Sequence, residues 1–268
     1  MRVTAPDLKR FKSEGRRFVM LTAYDFQTAE IFDEAGIPVI FVGDTLGIFF
    51  AGHATTIPVT MDDMVYHCAV VSRAVKSALV VGDLPFASYH SSTRDAVLNA
   101  ARLVRHGGVQ CVKLEGARPP VVAALVDAEI PVIGHLGLTP QSVNALGGNR
   151  VQARHEDEVS ALVADAQAVE AAGACAVVLE AVPTEAGRRV TEVLSVPTIG
   201  IGAGVHCDAQ VLVSAEMIGL AGGAHPRFVK SYADIRSDIS RAAREFADEV
   251  ASGAYPDPAH SYDWPIKA

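Results

Sequence analysis

The chain has 268 residues, 50% of them hydrophobic, 20% charged and 6% aromatic, with 23 basic against 31 acidic side chains for a formal charge of −8. A chain this long and apolar can bury roughly 70–75% of its unfolded surface around one core, which excludes a disordered chain and a small domain stapled by disulfides or metal. The acidic balance, with no Lys/Arg cluster on a predicted helix face, argues against nucleic-acid or anionic-membrane partners and for small molecules.

The N-terminus, Met1-Arg2-Val3-Thr4-Ala5-Pro6-Asp7, is polar, and no apolar run approaches the ~20 residues of a membrane span, so a cytoplasmic location is expected. Short apolar runs bounded by Gly, Pro or Asp then read as strands: Phe18–Ala23, Pro38–Val42, Ala78–Val81, Val109–Leu114, Pro131–Ile133, Cys175–Leu179, Pro197–Ile201 and Glu216–Leu220. Between them a 3.6-residue period marks helices. Thr93–His106 carries Val97, Leu98, Ala101 and Val104 on one face and stops at Gly107-Gly108. Asp157–Ala172 carries Val159, Leu162, Val163, Ala166 and Val169 and stops at Gly173, and a helical tail begins near Tyr232.

Strands apolar on both faces, alternating with amphipathic helices, predict a parallel sheet; eight such units in about 220 residues predict one closed (β/α)8 TIM barrel. No linker divides the chain, so residues 1–268 are expected to form a single domain. A dinucleotide fold would need G-x-G-x-x-G after the first strand, whereas Gly200-Ile201-Gly202-Ala203-Gly204 comes late and out of register. That turn reads either as a tight βα connection or as an anion cradle. Cys68, Cys111, Cys175 and Cys207 lack zinc-type spacing and read as buried thiols in a reducing compartment.

In a parallel barrel the active site lies at the C-terminal ends of the strands, so charges that terminate apolar strands carry weight. Asp44 follows Val39-Ile40-Phe41-Val42-Gly43, Asp83 ends the third strand, and Lys113 and Glu115 share a face of the fourth. His135 ends the fifth strand and Glu180 the sixth. Four acids crowded at the end of an apolar core need a cation, and Lys113 supplies one charge; a hard divalent ion such as Mg²⁺ supplies the rest. His135 stays open between a structural or outer-sphere group and an acid or base. The long connections Thr45–Pro58 and Leu136–His155, rich in Gly, Thr, Asn and His, have the length of functional loops.

These residues sit in motifs that resemble the ketopantoate (3-methyl-2-oxobutanoate) hydroxymethyltransferase family over nearly the whole chain. The motifs are Leu21-Thr22-Ala23-Tyr24-Asp25, Val42-Gly43-Asp44-Thr45-Leu46-Gly47, Gly52-His53, Pro58-Val59-Thr60, Asp83-Leu84-Pro85-Phe86 and Val112-Lys113-Leu114-Glu115-Gly116. They continue with Gly134-His135-Leu136-Gly137-Leu138-Thr139-Pro140-Gln141, Leu179-Glu180-Ala181-Val182-Pro183, Ile199-Gly200-Ile201-Gly202-Ala203-Gly204 and Pro226-Arg227-Phe228-Val229-Lys230. The resemblance implies a barrel of the phosphoenolpyruvate/pyruvate type, assembled as a homodecamer. It implies transfer of a hydroxymethyl group from 5,10-methylenetetrahydrofolate to 3-methyl-2-oxobutanoate, giving 2-dehydropantoate in the first step of pantothenate synthesis. It places one Mg²⁺ per subunit on Asp44, Asp83 and Glu115, substrate contacts on Asp44, Thr45, Asp83 and Lys113, and the general base on Glu180.

The chemistry is coherent, because a 2-oxo acid chelates a divalent ion that acidifies C3–H, Glu180 takes the proton, and the metal and Lys113 stabilise the resulting enolate. Departures from the family pattern lie around the site. Thr45 stands where Ser is usual, Ala209 where Gly is usual, and Gly222-Gly223-Ala224-His225 differs from the residues usual before Pro226. Ala54 and Ile48-Phe49-Phe50 make the loop after the second strand apolar, as a lid or a subunit contact. Two other readings compete: a metal-dependent aldolase or lyase of the same barrel type that needs no folate, and a non-catalytic assembly or ligand-binding subunit. The intact charge cluster argues against the latter, since buried charges are costly to keep.

Overall fold

In the computed structural model, which describes residues 2–264, the apolar runs pair side by side as parallel strands. The ends of the expected 1–268 domain, Met1 and residues 265–268, lie outside the described residues. The first half runs α1 (Ala5–Ser13), β1 (Phe18–Thr22), α2 (Phe26–Glu34), β2 (Val39–Val42), α3 (Leu46–Phe49), α4 (Met61–Ala74), β3 (Leu79–Asp83), α5 (Thr93–Arg105), β4 (Cys111–Glu115) and α6 (Pro119–Asp127). The second half runs β5 (Val132–Gly137), a 3-10 turn at Pro140–Ser142, α7 (Val143–Leu146), α8 (Glu156–Ala171), β6 (Ala176–Glu180), α9 (Thr184–Val193), β7 (Thr198–Ile201), β8 (Ala209–Leu212), α10 (Ser214–Met217) and α11 (Ile235–Ser252). Among the described residues the eight strands close in sequence order, β1 pairing with both β2 and β8. The expected closed (β/α)8 TIM barrel is therefore present.

Polar residues set the helix starts. Asp25 accepts from the Thr28 N–H ahead of α2, Ser92 from the Asp95 N–H ahead of α5, and Thr60 and Asp63 cap α4 reciprocally. Inside the barrel, alternate residues build one apolar cluster that includes Met20, Val39, Phe41, Val81, Cys111, Ile133, Val178, Ile199 and Val211. Leu8 and Phe11 of α1 join the same cluster.

Residues up to Ser214 form one compact unit that contains the whole barrel, and a second unit starts at Ala215. The helical tail expected near Tyr232 is α11, which begins at Ile235 in that second unit, ends at Ser252 and is capped by Gly253, φ 76°. No helix among the described residues is long and apolar enough to cross a membrane. Cys68, Cys111 and Cys207 are buried free thiols and Cys175 is a half-buried one.

Two expectations are corrected. The eighth strand is Ala209–Leu212, not Glu216–Leu220, which instead falls on α10 and the turn after it. The true strand is four residues long and carries an exposed Gln210, so its apolar signal is short, yet it pairs with β1 from Phe18↔Ala209 to Leu21↔Leu212. On α5 the buried face is Ala96, Ala100 and Leu103, while Leu98 and Val104 are exposed and Val97 and Ala101 half-buried. Small alanines let the helix lie close to its neighbours, and that packing outweighs the larger stripe. On α8 the expected Val159, Leu162, Ala166 and Val169 are buried and Val163 is half-buried.

Gly137 closes β5 with φ +87°, opposite Glu180 in the β5–β6 register, and a Cβ there would meet the Glu180 carbonyl oxygen at 2.4 Å. Gly147 has a similar φ of +69° and open space around it. Gly147→Ala is expected to cost about 1 kcal/mol for the left-handed backbone alone, and Gly137→Ala at least about 2 kcal/mol more, read from urea unfolding midpoints. Equal losses in the two variants would show that Gly137 does not sit against the β6 backbone.

Candidate active site

Strand register assembles the charges. Asp83 pairs with Lys113 across β3–β4, Glu115 with His135 across β4–β5, and Gly137 with Glu180 across β5–β6. Paired residues share a face, and so do residues two apart on one strand. Lys113 and Glu115 therefore stand above Cys111, His135 above Ile133, and Glu180 above Val178, each on the inward stripe. Asp44 joins them from the turn after β2. All six line one cavity of about 50 Å³, with Thr45, Thr22 and Phe41, and with Met20, Val178, Ile201, Val211 and Val213 as its apolar wall.

Lys113 is the hub. Its Nζ lies 3.0 Å from Asp83 Oδ1, 3.8 Å from Glu115 Oε1 and 3.1 Å from His135 Nδ1, and stands over the Phe41 ring. Glu115 Oε1 lies 3.5 Å from His135 Nδ1, while its Oε2 accepts from the Gln141 N–H at 2.9 Å. The Asp44 N–H donates to Asp83 Oδ2 at 3.3 Å. His135 Nε2 faces Glu180 Oε2 at 3.2 Å, and the Glu180 side chain keeps 17% of its surface exposed, against at most 4% for Asp83, Lys113, Glu115 and His135. Glu180 is thus the carboxylate of this group that an entering molecule meets.

Burial, reinforced by Asp83 and Glu115, pushes the Asp44 carboxyl well above the usual range, against Lys113 and the Gln141 amide. Burial likewise raises Asp83 to about 6 although Lys113 draws it down. For Glu115 burial also acts upward, but the His135 hydrogen bond and the Lys113 charge outweigh it and hold the group below its ordinary value. Burial and the Lys113 charge depress His135, and hydrogen bonds to Glu115 and Glu180 overcome both, raising it to about 9. Burial works against the Lys113 ammonium too, yet Asp83, Glu115 and Asp44 bind its proton more firmly than usual.

Among the described residues no group of three or more His, Cys, Asp or Glu forms a ready-made metal cage. Asp44 and Asp83, both at most 2% exposed, nonetheless offer two adjacent hard carboxylates with excess negative charge. That donor set fits Mg²⁺, which commonly takes one or two protein carboxylates and completes its shell with substrate and water. Glu115 lies beside them with both oxygens already engaged.

The structure sets the expected strand-end charges together in one cavity and adds neutral partners that no strand-end signal marks. Gln141 Nε2 donates to Asp44 Oδ2, Tyr89 O–H donates to Gln141 Oε1, and Tyr24 O–H shares a hydrogen bond of 2.8 Å with Thr45 Oγ1. Thr22 accepts from the Ser214 N–H at the cavity's edge. Tyr24 and Gln141 lie within motifs of the family pattern, but no local spacing pairs Gln141 with a residue 97 positions away. Of Ile48-Phe49-Phe50, Phe50 is exposed and its ring makes a T-shaped contact with the His67 ring of α4, whose Nδ1 lies 2.6 Å from the Tyr24 carbonyl oxygen. The Gly200–Gly204 turn is closed by Gln210 Nε2 donating to the Gly204 carbonyl.

The profile of the ketopantoate hydroxymethyltransferase family matches residues 2–258. A 3-methyl-2-oxobutanoate hydroxymethyltransferase of Thermobifida fusca (strain YX) is 55% identical over 266 residues, covering 97% of this chain and 94% of that protein. Among solved structures, 2,3-dimethylmalate lyase, described as a PEP mutase/isocitrate lyase superfamily member, has a TM-score of 0.61 at 18% identity, covering 96% of this chain and 93% of that one. Phosphonopyruvate hydrolase in complex with oxalate and Mg²⁺ has a TM-score of 0.62 at 14% identity, covering 96% and 93%. These neighbours share the fold, a closed (β/α)8 barrel.

An ionised Asp44 without a cation destabilises the chain that holds it. The unfolded chain gives up this proton at the ordinary aspartate pKa and the folded chain only at higher pH, so rising pH removes stability across that window. Asp44→Asn in chelator at pH 8 is expected to raise the thermal midpoint by roughly 3–6 °C, and the gain should shrink toward pH 4. A midpoint lower than that of the parent at pH 8 would refute the charge imbalance.

Proposed function

The chain belongs to the ketopantoate hydroxymethyltransferase family, and on that premise we propose that its donor is 5,10-methylenetetrahydrofolate and its product 2-dehydropantoate, in the first step of pantothenate synthesis. The acceptor, 3-methyl-2-oxobutanoate, reacts through C3 as its enolate. One observation carries this reading: a single more exposed carboxylate, Glu180, faces a cavity whose other charges are buried and whose remaining wall is mostly apolar. A carboxylate there can take a carbon-bound proton while the isopropyl end of the acid rests against Val178, Ile201, Val211 and Val213.

Glu180 is the base that removes the C3 proton. His135, whose Nδ1 faces Glu115, keeps one Glu180 oxygen in place through Nε2. Lys113 presents its ammonium to the charge that develops on the keto oxygen, from a stem fixed by burial and by Asp83. Thr45, anchored by Tyr24, offers its hydroxyl to the substrate carboxylate. Water opens the folate methylene group: its oxygen bonds to the methylene carbon while both carbon–nitrogen bonds break and the two folate nitrogens take its protons. C3 then attacks the formaldehyde so formed, whose oxygen takes a proton and becomes the hydroxyl. A divalent ion, Mg²⁺ in this reading and one per subunit, would be held by Asp44 and Asp83 with Glu115 and would supply Lewis acidity toward the 2-oxo acid. The fold neighbour crystallised with oxalate and Mg²⁺ shows this barrel type accommodating such a pair in that protein.

Exposed Ile31, Tyr66, Leu98 and Val104 on the outer helices support a homo-oligomer, a decamer in this reading. The free thiols support a reducing, cytoplasmic location.

The test is proton exchange. With Mg²⁺ and 3-methyl-2-oxobutanoate in D₂O the parent should lose the C3 proton signal, and adding methylenetetrahydrofolate should yield 2-dehydropantoate. Glu180→Gln should slow exchange by about 10²–10⁴-fold while metal-dependent substrate binding stays within a few-fold of the parent. Parental exchange in that variant refutes Glu180 as base. Exchange without a folate-dependent product replaces the donor with aldolase- or lyase-type chemistry.

A further inference from the structure

Gln141, 2% exposed, sits in the 3-10 turn that follows β5, and its amide orientation is settled by acceptor chemistry. The Leu84 carbonyl oxygen, 2.9 Å from the Gln141 side chain, can only accept, so the amide nitrogen must face it. The second Nε2 proton then goes to Asp44 Oδ2, also at 2.9 Å. That leaves Oε1 for the hydroxyl of Tyr89, a fully buried side chain, at 2.6 Å. The Tyr89 oxygen lies 3.4 Å from the Glu115 carbonyl, but its single proton serves the shorter contact, and the oxygen accepts from the Glu115 N–H at 3.2 Å. The backbone N–H of Gln141 completes the set by donating to Glu115 Oε2.

One neutral residue thus ties together the ends of β2, β3, β4 and β5. A neutral amide can do this where a further charge could not, because it satisfies a buried carboxylate without altering the charge balance of the cavity. We propose that Gln141 is a positioning residue, clamped by Tyr89, that fixes the orientation of the Asp44 carboxylate toward a divalent cation and of Glu115 beside it. The inference rests on the reading of Asp44 and Asp83 as the cation's carboxylates. Leaving the amide out frees Asp44 to rotate and lowers affinity for the ion, with the chemistry at Glu180 untouched.

The test uses the full chain stripped by chelator and Mn²⁺ as probe, with free Mn²⁺ read by electron paramagnetic resonance. Gln141→Met keeps the side-chain length and loses both donors; it should weaken Mn²⁺ binding about ten-fold or more, the size usual for partners that orient a ligand. Tyr89→Phe, which removes only the clamp on Oε1, should weaken it by a smaller factor in the same direction. Deuterium exchange at C3 by Gln141→Met should be low at limiting Mn²⁺ and return toward the parental rate at saturating Mn²⁺, a recovery that a general packing defect does not give. Mn²⁺ binding by Gln141→Met that matches the parent overturns the inference; if that variant does not fold, parental binding by Tyr89→Phe does so. A parent that takes up no Mn²⁺ overturns the cation reading and this inference together, whereas a parent that binds alongside unchanged variants overturns this inference alone.

Discussion

The structure turns on one buried ammonium. Lys113 stands in the middle of β4, two residues above an apolar Cys111 and two below Glu115, with its Nζ 3.0 Å from Asp83. An isolated charge in such a place would cost several kcal/mol, so the carboxylates around it are what allow the lysine to be there. The relation runs both ways, because three buried acids without a cation could not all remain ionised. The mouth of the barrel is therefore a mutual arrangement in which no member is stable alone.

The barrel supplies that arrangement through register. Parallel pairing sets Asp83 beside Lys113 and Glu115 beside His135, and period-two alternation turns each of them inward above a layer of Val, Ile and Cys. The balance is incomplete, since Lys113 and a raised His135 face four acids, two of which are pushed upward by burial. Incomplete balance has a chemical use. It leaves a place for a divalent ion and a chelating acid at the one point where a more exposed carboxylate can take a proton, and stability is given up there for reactivity.

Much of this was legible in the chain. Seven strands and all of the strand-end charges follow from short apolar runs that finish in Asp, Glu, Lys or His, because a parallel barrel buries both faces of each strand and opens only at its ends. The eighth strand escaped because Ala209-Gln210-Val211-Leu212 is brief and carries an exposed Gln, whereas the richer run at Glu216–Leu220 becomes helix and turn. The buried face of α5 escaped because its alanines pack closer than its larger residues, a matter of fit between elements that hydropathy along one helix does not encode. Gln141, Tyr89 and Tyr24 escaped for a third reason: they are neutral, and their partners lie tens of residues away, so only the closed barrel brings them together.

The central claim is that Asp44 and Asp83 form a charge deficit that a divalent ion relieves, and calorimetric titration of Mg²⁺ into the full chain near pH 6, repeated in buffers of different ionisation enthalpy, tests it most directly. The account predicts binding of one ion per chain with release of protons, as raised carboxyls give them up, and loss of that binding in Asp83→Asn. Binding by Asp83→Asn that matched the parent, or no binding by the parent, would contradict it.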